Sequence, residues 1–377
     1  MNVRAANLRS LDMLRGVLAV YVLLGHCRWL LWTGHSQWMA QPHARWLEPV
    51  VYASALVRYG REAVMVFFVL SGFFIHLRMA ERANLEGAGL SARGFYWRRA
   101  HRLGAPYALA LVVTVVCDAI GRTWFPALYH AATGDALTDG VFRHTGYGWD
   151  SVVPALVVLP SSRGPDFGTN GPLWSLAFEV VYYALYPAWI AVRKKSAVLA
   201  FLVVPALCLT LALLPDQPFL VTVLIFYPVW LAGAALAEGL SRRRTVSIPV
   251  AASCVAFISG FGLHLIGRSV LFSAIGAMMF GVGAVAAFGG LSDRAVRSPL
   301  GTLFEYLGQR SYSIYIVHFP FVALISAAVF HLYGARPSTG WLAVGSAAAA
   351  VAFGCLCFEV CERHFVHHKV PARGLNA

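Results

Sequence analysis

The chain has 377 residues, of which 59% are hydrophobic and only 12% charged, with 30 Lys and Arg against 17 Asp and Glu. This composition lies far outside the averages of soluble globular proteins and excludes a water-soluble body. The net charge of +13 would suit nucleic acid in a soluble protein, but polytopic membrane proteins gather Lys and Arg on the cytoplasmic side, so it reads here as topology.

Apolar runs predict about ten transmembrane helices, near residues 13–31, 62–80, 103–120, 172–192, 197–214, 219–238, 246–266, 270–290, 311–333 and 340–361. The expected fold is all-α: a polytopic integral membrane bundle, one domain over 1–377. The first run is too long for a signal-peptide core and no small-residue cleavage site follows it. With a cytoplasmic N-terminus, inside segments carry 21 of the 30 basic residues, from Arg4 and Arg9 to Lys369 and Arg373. Both termini are therefore expected in the cytoplasm. Two long loops fall outside, about 32–61 and 121–171. The second is rich in Trp, Tyr, His, Gly and Asp, which suits either a polar ligand or an ordered lid. Its apolar piece at 151–160 is too short to span and reads as re-entrant or interfacial. Seven cysteines lie in or beside apolar runs with no metal or disulfide spacing, and no metal site is expected.

The first run, LDMLRGVLAVYVLLGHCRWLL, is interrupted by Arg15 and His26, eleven residues apart. At about 100° per residue, eleven steps come within about 20° of three whole turns, so the two share a face, separated by about 16 Å of rise. Ionisable groups inside a membrane usually face the protein interior and mark function. In the fourth run Glu179 lies about 10 Å below the outer edge counted from Pro172, a depth similar to that of His26 counted from Leu31. An imidazole and a carboxylate within reach form a base and its orienting group. His26 and Glu179 are thus the candidate catalytic residues. The plainer alternatives are a topological anchor for Arg15 and a bundle ion pair for Glu179.

Trp174 and Ser175 lie a turn outward of Glu179, Tyr183 a turn inward, and Glu62 at the outer edge of the second run; these are the candidate acceptor contacts. Ser71 and Gly72, near the middle of that run, read as packing and hydrogen-bonding residues, since no base lies four positions away. The segment FYWRRAHRLGAPY crowds Arg98, Arg99, His101 and Arg102 at the inner mouth. Arginine forks suit phosphate oxygens, so a nucleotide-bearing donor such as coenzyme A fits, with anionic lipid as the alternative. In the ninth run Ser311, Tyr315 and Phe319 share a face, and His318 is a second intramembrane imidazole and a rival candidate to His26, with no carboxylate paired to it.

These residues resemble the membrane acyltransferase-3 family, bacterial multi-span enzymes that move an acyl group, usually acetyl, from acyl-coenzyme A to a hydroxyl of a glycan or other acceptor. The resemblance rests on Arg-x10-His (Arg15, His26), FFVLSGF (67–73), Arg-x-x-Arg (Arg99, Arg102), WSLAFEVVYYALYP (174–187) and GQRSYSIYIVH (308–318). It implies essential roles for Arg15 and His26, and donor binding by Arg99 and Arg102. It also implies acetyl-CoA as donor, a cell-envelope glycan as acceptor and the bacterial inner membrane as location. One departure is that Pro106 stands one residue later than in the family's Arg-Ile-x-Pro, which leaves open which of Arg98, Arg99 and Arg102 faces the donor. Longer relatives carry a C-terminal hydrolase-like domain; the chain reads as the stand-alone form. The rival reading, a transporter or flippase of a lipid-linked saccharide, would more often show inverted repeats and matching broken helices.

Overall fold

A computed structural model of the chain describes residues 8–86, 91–243, 250–266 and 269–366. Of the basic residues expected in the cytoplasm, Arg4, Arg244, Lys369 and Arg373 lie outside this set.

In hydrocarbon a backbone must satisfy its own polar groups, and apolar runs of this length do so as helices. In chain order they are α1 (Leu8–Leu31), α2 (Gly60–Glu86), α3 (Ala92–Trp124), α4 (Trp174–Lys195), α5 (Leu199–Leu213), α6 (Phe219–Arg243), α7 (Val250–Ile266), α8 (Val270–Gly289), α9 (Pro299–Gln309), α10 (Ser311–Tyr333) and α11 (Trp341–Cys357). Among the described residues eight helices are long and apolar enough to cross a membrane, while α5 and α7 are shorter apolar helices. Together these ten occupy the runs predicted from hydropathy. The short α9 precedes α10 and packs on α1.

Two close crossings hold the centre together. A Cβ on Gly72 would meet the Trp230 carbonyl oxygen at 2.0 Å, and one on Gly233 would meet that of Val69 at 1.9 Å, so α2 and α6 touch backbone to backbone. Likewise a Cβ on Gly308 would stand 1.7 Å from the Asp12 carbonyl oxygen, where α9 crosses α1. Small residues at such crossings supply the van der Waals contact that drives helix association in lipid.

The second long loop is ordered and is called the lid. It contains short helices Pro126–Tyr129, Ala136–Phe142 and Trp149–Leu156, and a two-residue parallel pairing of Thr145–Gly146 with Asp166–Phe167. The apolar piece at 151–160 thus ends a short helix and does not span. Arg336, in the α10–α11 loop, donates to Asp135 Oδ2 at 2.5 Å and to the Trp29 carbonyl at 2.8 Å, joining the lid to the outer end of α1.

The end of this loop then dives into the bundle. Thr169 and Asn170 are each 1% exposed, and Asn170 donates to Thr114 Oγ1 at 3.0 Å and to the Ile316 carbonyl at 2.9 Å. That carbonyl is available because Pro320, four residues on, has no N–H to give it. Thr114 lies ten residues, or about 15 Å, before the end of α3. The fourth helix therefore starts well inside the protein, which corrects the expectation that Pro172 marks the outer edge.

Candidate active site

Helices α1, α2, α3, α4 and α10 enclose a cavity of about 360 Å³. Arg15, Arg78, Arg99 and Arg102 line its inner end, Ser71, Glu179 and Tyr183 its middle, and Ser175 and Tyr315 its outer end. From Val64 to Arg78, the α2 residues on its wall cover about 21 Å of helix rise. The periodicity of three and four in each segment puts these side chains on one face.

The inner end is cationic. Arg15 Nη1 reaches Asp12 Oδ1 at 3.2 Å. Arg99 Nε and Ser311 Oγ are buried without a hydrogen-bond partner, although both residues line the cavity. Buried donors left unmade cost about 1–3 kcal/mol each, and acceptor oxygens in the cavity would satisfy both. Of the three arginines left open by the motif, Arg99 and Arg102 line this cavity, whereas Arg98 is exposed and outside it.

In the middle, Ser71 Oγ donates to Glu179 Oε1 at 2.5 Å, and Tyr183 Oη donates to the same oxygen. Trp230 Nε1 donates to Ser71 at 3.3 Å across the Gly72 crossing. Sequence spacing offered Ser71 no base because its carboxylate comes from another helix. At the outer end the Ser175 and Tyr315 hydroxyls lie 2.9 Å apart, and Tyr315 Oη also donates to the Pro172 carbonyl at 3.1 Å.

His26 lies elsewhere. Its Nδ1 is 2.8 Å from His318 Nε2, and His318 Nδ1 is 2.6 Å from the Tyr315 carbonyl oxygen. No hydrogen bond joins His26 to Glu179, so the expected imidazole–carboxylate pair is replaced by a histidine pair. The reason is depth. Glu179 lies four residues inward of Ser175, which meets Tyr315, while His318 lies three residues outward of Tyr315; the difference is about 10 Å. Counting from helix ends made the two depths equal only because α4 was assumed to begin at the membrane edge.

Two further expected contacts fall outside the cavity. Trp174 packs edge-on against Phe178, ring centroids 5.3 Å apart. Glu62 pairs with His264 Nε2 at 3.3 Å, near the outer end of α2. Ser175 and Tyr183 line the cavity as expected. Asn170 was missed; the signal for it was Pro320, which frees a carbonyl in mid-helix.

Comparison with known proteins agrees with this architecture. A family model described as an acyltransferase domain matches residues 8–360. The peptidoglycan O-acetyltransferase OatA of Listeria monocytogenes is 26% identical over 339 residues, covering 79% of this chain and 50% of that protein. The putative peptidoglycan O-acetyltransferase YrhL of Bacillus subtilis is 26% identical over 292 residues, 69% of this chain and 44% of that protein. The acyltransferase MdmB of Streptomyces mycarofaciens is 28% identical over 142 residues, 37% of this chain and 30% of that protein. The chain thus spans half the length of these relatives or less. No solved structure matches. With the family match over nearly the whole chain and Arg15, Arg99, Arg102, Ser71, Glu179 and Tyr315 of its motifs on the wall of one cavity, the protein belongs to the membrane acyltransferase-3 family.

Proposed function

We propose that the protein transfers an acyl group, most readily acetyl, from cytoplasmic acyl-CoA to a hydroxyl of a cell-envelope glycan. The observation that carries this reading is the cavity with four arginines at one end, one with an unpartnered buried Nε, and a column of hydroxyls above them. Arginine forks suit the phosphates of the donor, and a passage of about 21 Å suits an extended pantetheine arm. The thioester would then lie toward Tyr315, one helical turn from His318 and the His26 it bonds. The names of OatA and YrhL support a glycan acceptor for this chain too.

In the proposed reaction His26 takes the proton of the acceptor hydroxyl as its oxygen attacks the thioester carbonyl. The C–S bond breaks, and the same proton passes to the departing thiolate, so acyl-CoA and alcohol become ester and free thiol. General base catalysis of this kind contributes about 10² to 10⁴ in rate. Glu179, about 10 Å deeper, holds Ser71 and Tyr183 in the passage and does not orient the base.

The test is mass spectrometry of surface glycans from cells with the parent gene, the deletion, or His26→Ala at matched protein level. Loss of one acetyl mass per modified sugar in both the deletion and the variant is expected. Loss of whole glycan in the deletion would favour transport; full modification by His26→Ala would remove His26 from the chemistry.

A further inference from the structure

We propose that His318 is a positioning residue that sets the tautomer of His26 and leaves His26 Nε2 as the bare, basic nitrogen. The inference rests on the reading of His26 as the base and adds to it which atom acts and what aims it. The hydrogen-bond chain has a fixed direction. The Tyr315 carbonyl oxygen can only accept, so His318 Nδ1, 2.6 Å away, carries a hydrogen. A neutral imidazole has one donor and one acceptor, so His318 Nε2 accepts from His26 Nδ1–H at 2.8 Å. His26 Nε2 is then left with a free lone pair, and it makes no hydrogen bond to any described residue.

The geometry fits an in-line bond. The ring centroids are 5.0 Å apart and the planes differ by 19°, as expected when two imidazoles meet edge to edge. Phe319 stands perpendicular to His26 at 5.0 Å, blocking rotation of the ring. Burial separates the roles, since His318 is 1% exposed while His26 is only partly buried. Neither imidazole is hydrogen-bonded to a carboxylate among the described residues, and a lone buried charge is costly, which favours the neutral pair at rest. On taking the acceptor's proton at Nε2, His26 still donates through Nδ1, so His318 accepts from the cation without either ring having to turn. Tyr315 links this relay to the passage, its carbonyl on His318 and its hydroxyl at the cavity's outer end.

The tests use the full chain in lipid nanodiscs and in membranes of the cells that carry the gene. Solid-state NMR of the ¹⁵N-histidine-labelled parent, with His26 assigned by its loss in His26→Gln, is expected to show protonation at Nδ1 and a bare Nε2. The opposite tautomer overturns the proposal whatever the variants do. In membranes given labelled acetyl-CoA and their own acceptors, His318→Phe is expected to lower apparent kcat about 100-fold, with KM for acetyl-CoA within twofold. His318→Gln, whose side-chain carbonyl accepts from His26 Nδ1–H, is expected to recover at least a tenth of the parental rate. Parental kcat in His318→Phe, or Phe and Gln variants equally slow at matched protein level, overturns the relay. Full activity in His26→Ala fails the underlying reading instead, and so distinguishes the two.

Discussion

The Asp118 and Arg336 clusters of the outer half and the inner end of the cavity match their polar groups differently. The two outer clusters are closed on their own partners. Asp118 accepts from Thr169 N at 2.9 Å and from Thr169 Oγ1 at 2.6 Å, and from the Tyr147 hydroxyl at 2.7 Å, while Arg336 is shared between Asp135 and α1. In the inner half, Arg15, Arg78, Arg99 and Arg102 gather on one cavity beside Asp12 and Glu179, and buried polar atoms stay unmatched. A closed network specifies one rigid arrangement, whereas an unclosed one stores binding capacity at a cost in stability. Under the proposed function the cationic passage is where the donor would complete the polar contacts.

Breaking the scaffold at its tightest point is expected to have the largest effect. Gly233→Leu puts a side chain where even a Cβ meets the Val69 carbonyl at 1.9 Å, and no monodisperse protein is expected on size exclusion. Next comes the passage. Arg99→Gln combined with Arg102→Gln removes two charge-assisted contacts and is expected to raise the apparent KM for acetyl-CoA about 10- to 100-fold, with the melting temperature unchanged or raised. A lowered melting temperature with unchanged KM would make these arginines structural. Asn170→Ala strands the Ile316 carbonyl and is expected to cost about 1–3 kcal/mol, read as a lower melting temperature.

A smaller effect is expected at the lid. Arg336→Met removes a partner from Asp135 at the cost of about 1 kcal/mol, measured by thermal unfolding or lid proteolysis. Partial burial pushes the Asp135 carboxyl up, but the Thr138 backbone and side-chain bonds and then Arg336 outweigh it and hold its pKa below the ordinary 3.8. A depressed acid stabilises the fold above its unfolded value, so this contribution is complete above about pH 4 and is lost as pH falls through the lower folded value. In Arg336→Met that acid-dependent loss is expected to shrink. The smallest effect belongs to Arg98→Ala, which lies outside the cavity; KM within twofold of the parent is expected, and a large rise would mean the passage extends beyond its present wall.

The class and most of the cavity wall were legible in the amino-acid order alone. Hydropathy located all ten apolar helices because a membrane admits few backbone solutions, and helical periodicity put Arg15, Glu179 and Tyr183 on faces that meet at one cavity. Positions one turn apart on a single helix, such as Ser175 and Glu179, were legible for the same reason. What periodicity does not contain is the relative height of two helices. Packing in three dimensions sets α4 deep in the bundle, held there by Asn170 on the carbonyl that Pro320 frees. That one offset separated Glu179 from His26 and gave Glu179 to Ser71 and Tyr183, while the packing of α10 on α1 brought His318 to His26. It likewise decided that Trp174 and Glu62 pack elsewhere and that Arg99 and Arg102, rather than Arg98, line the passage, because pairing across helices depends on where each one starts and how closely glycines let them approach.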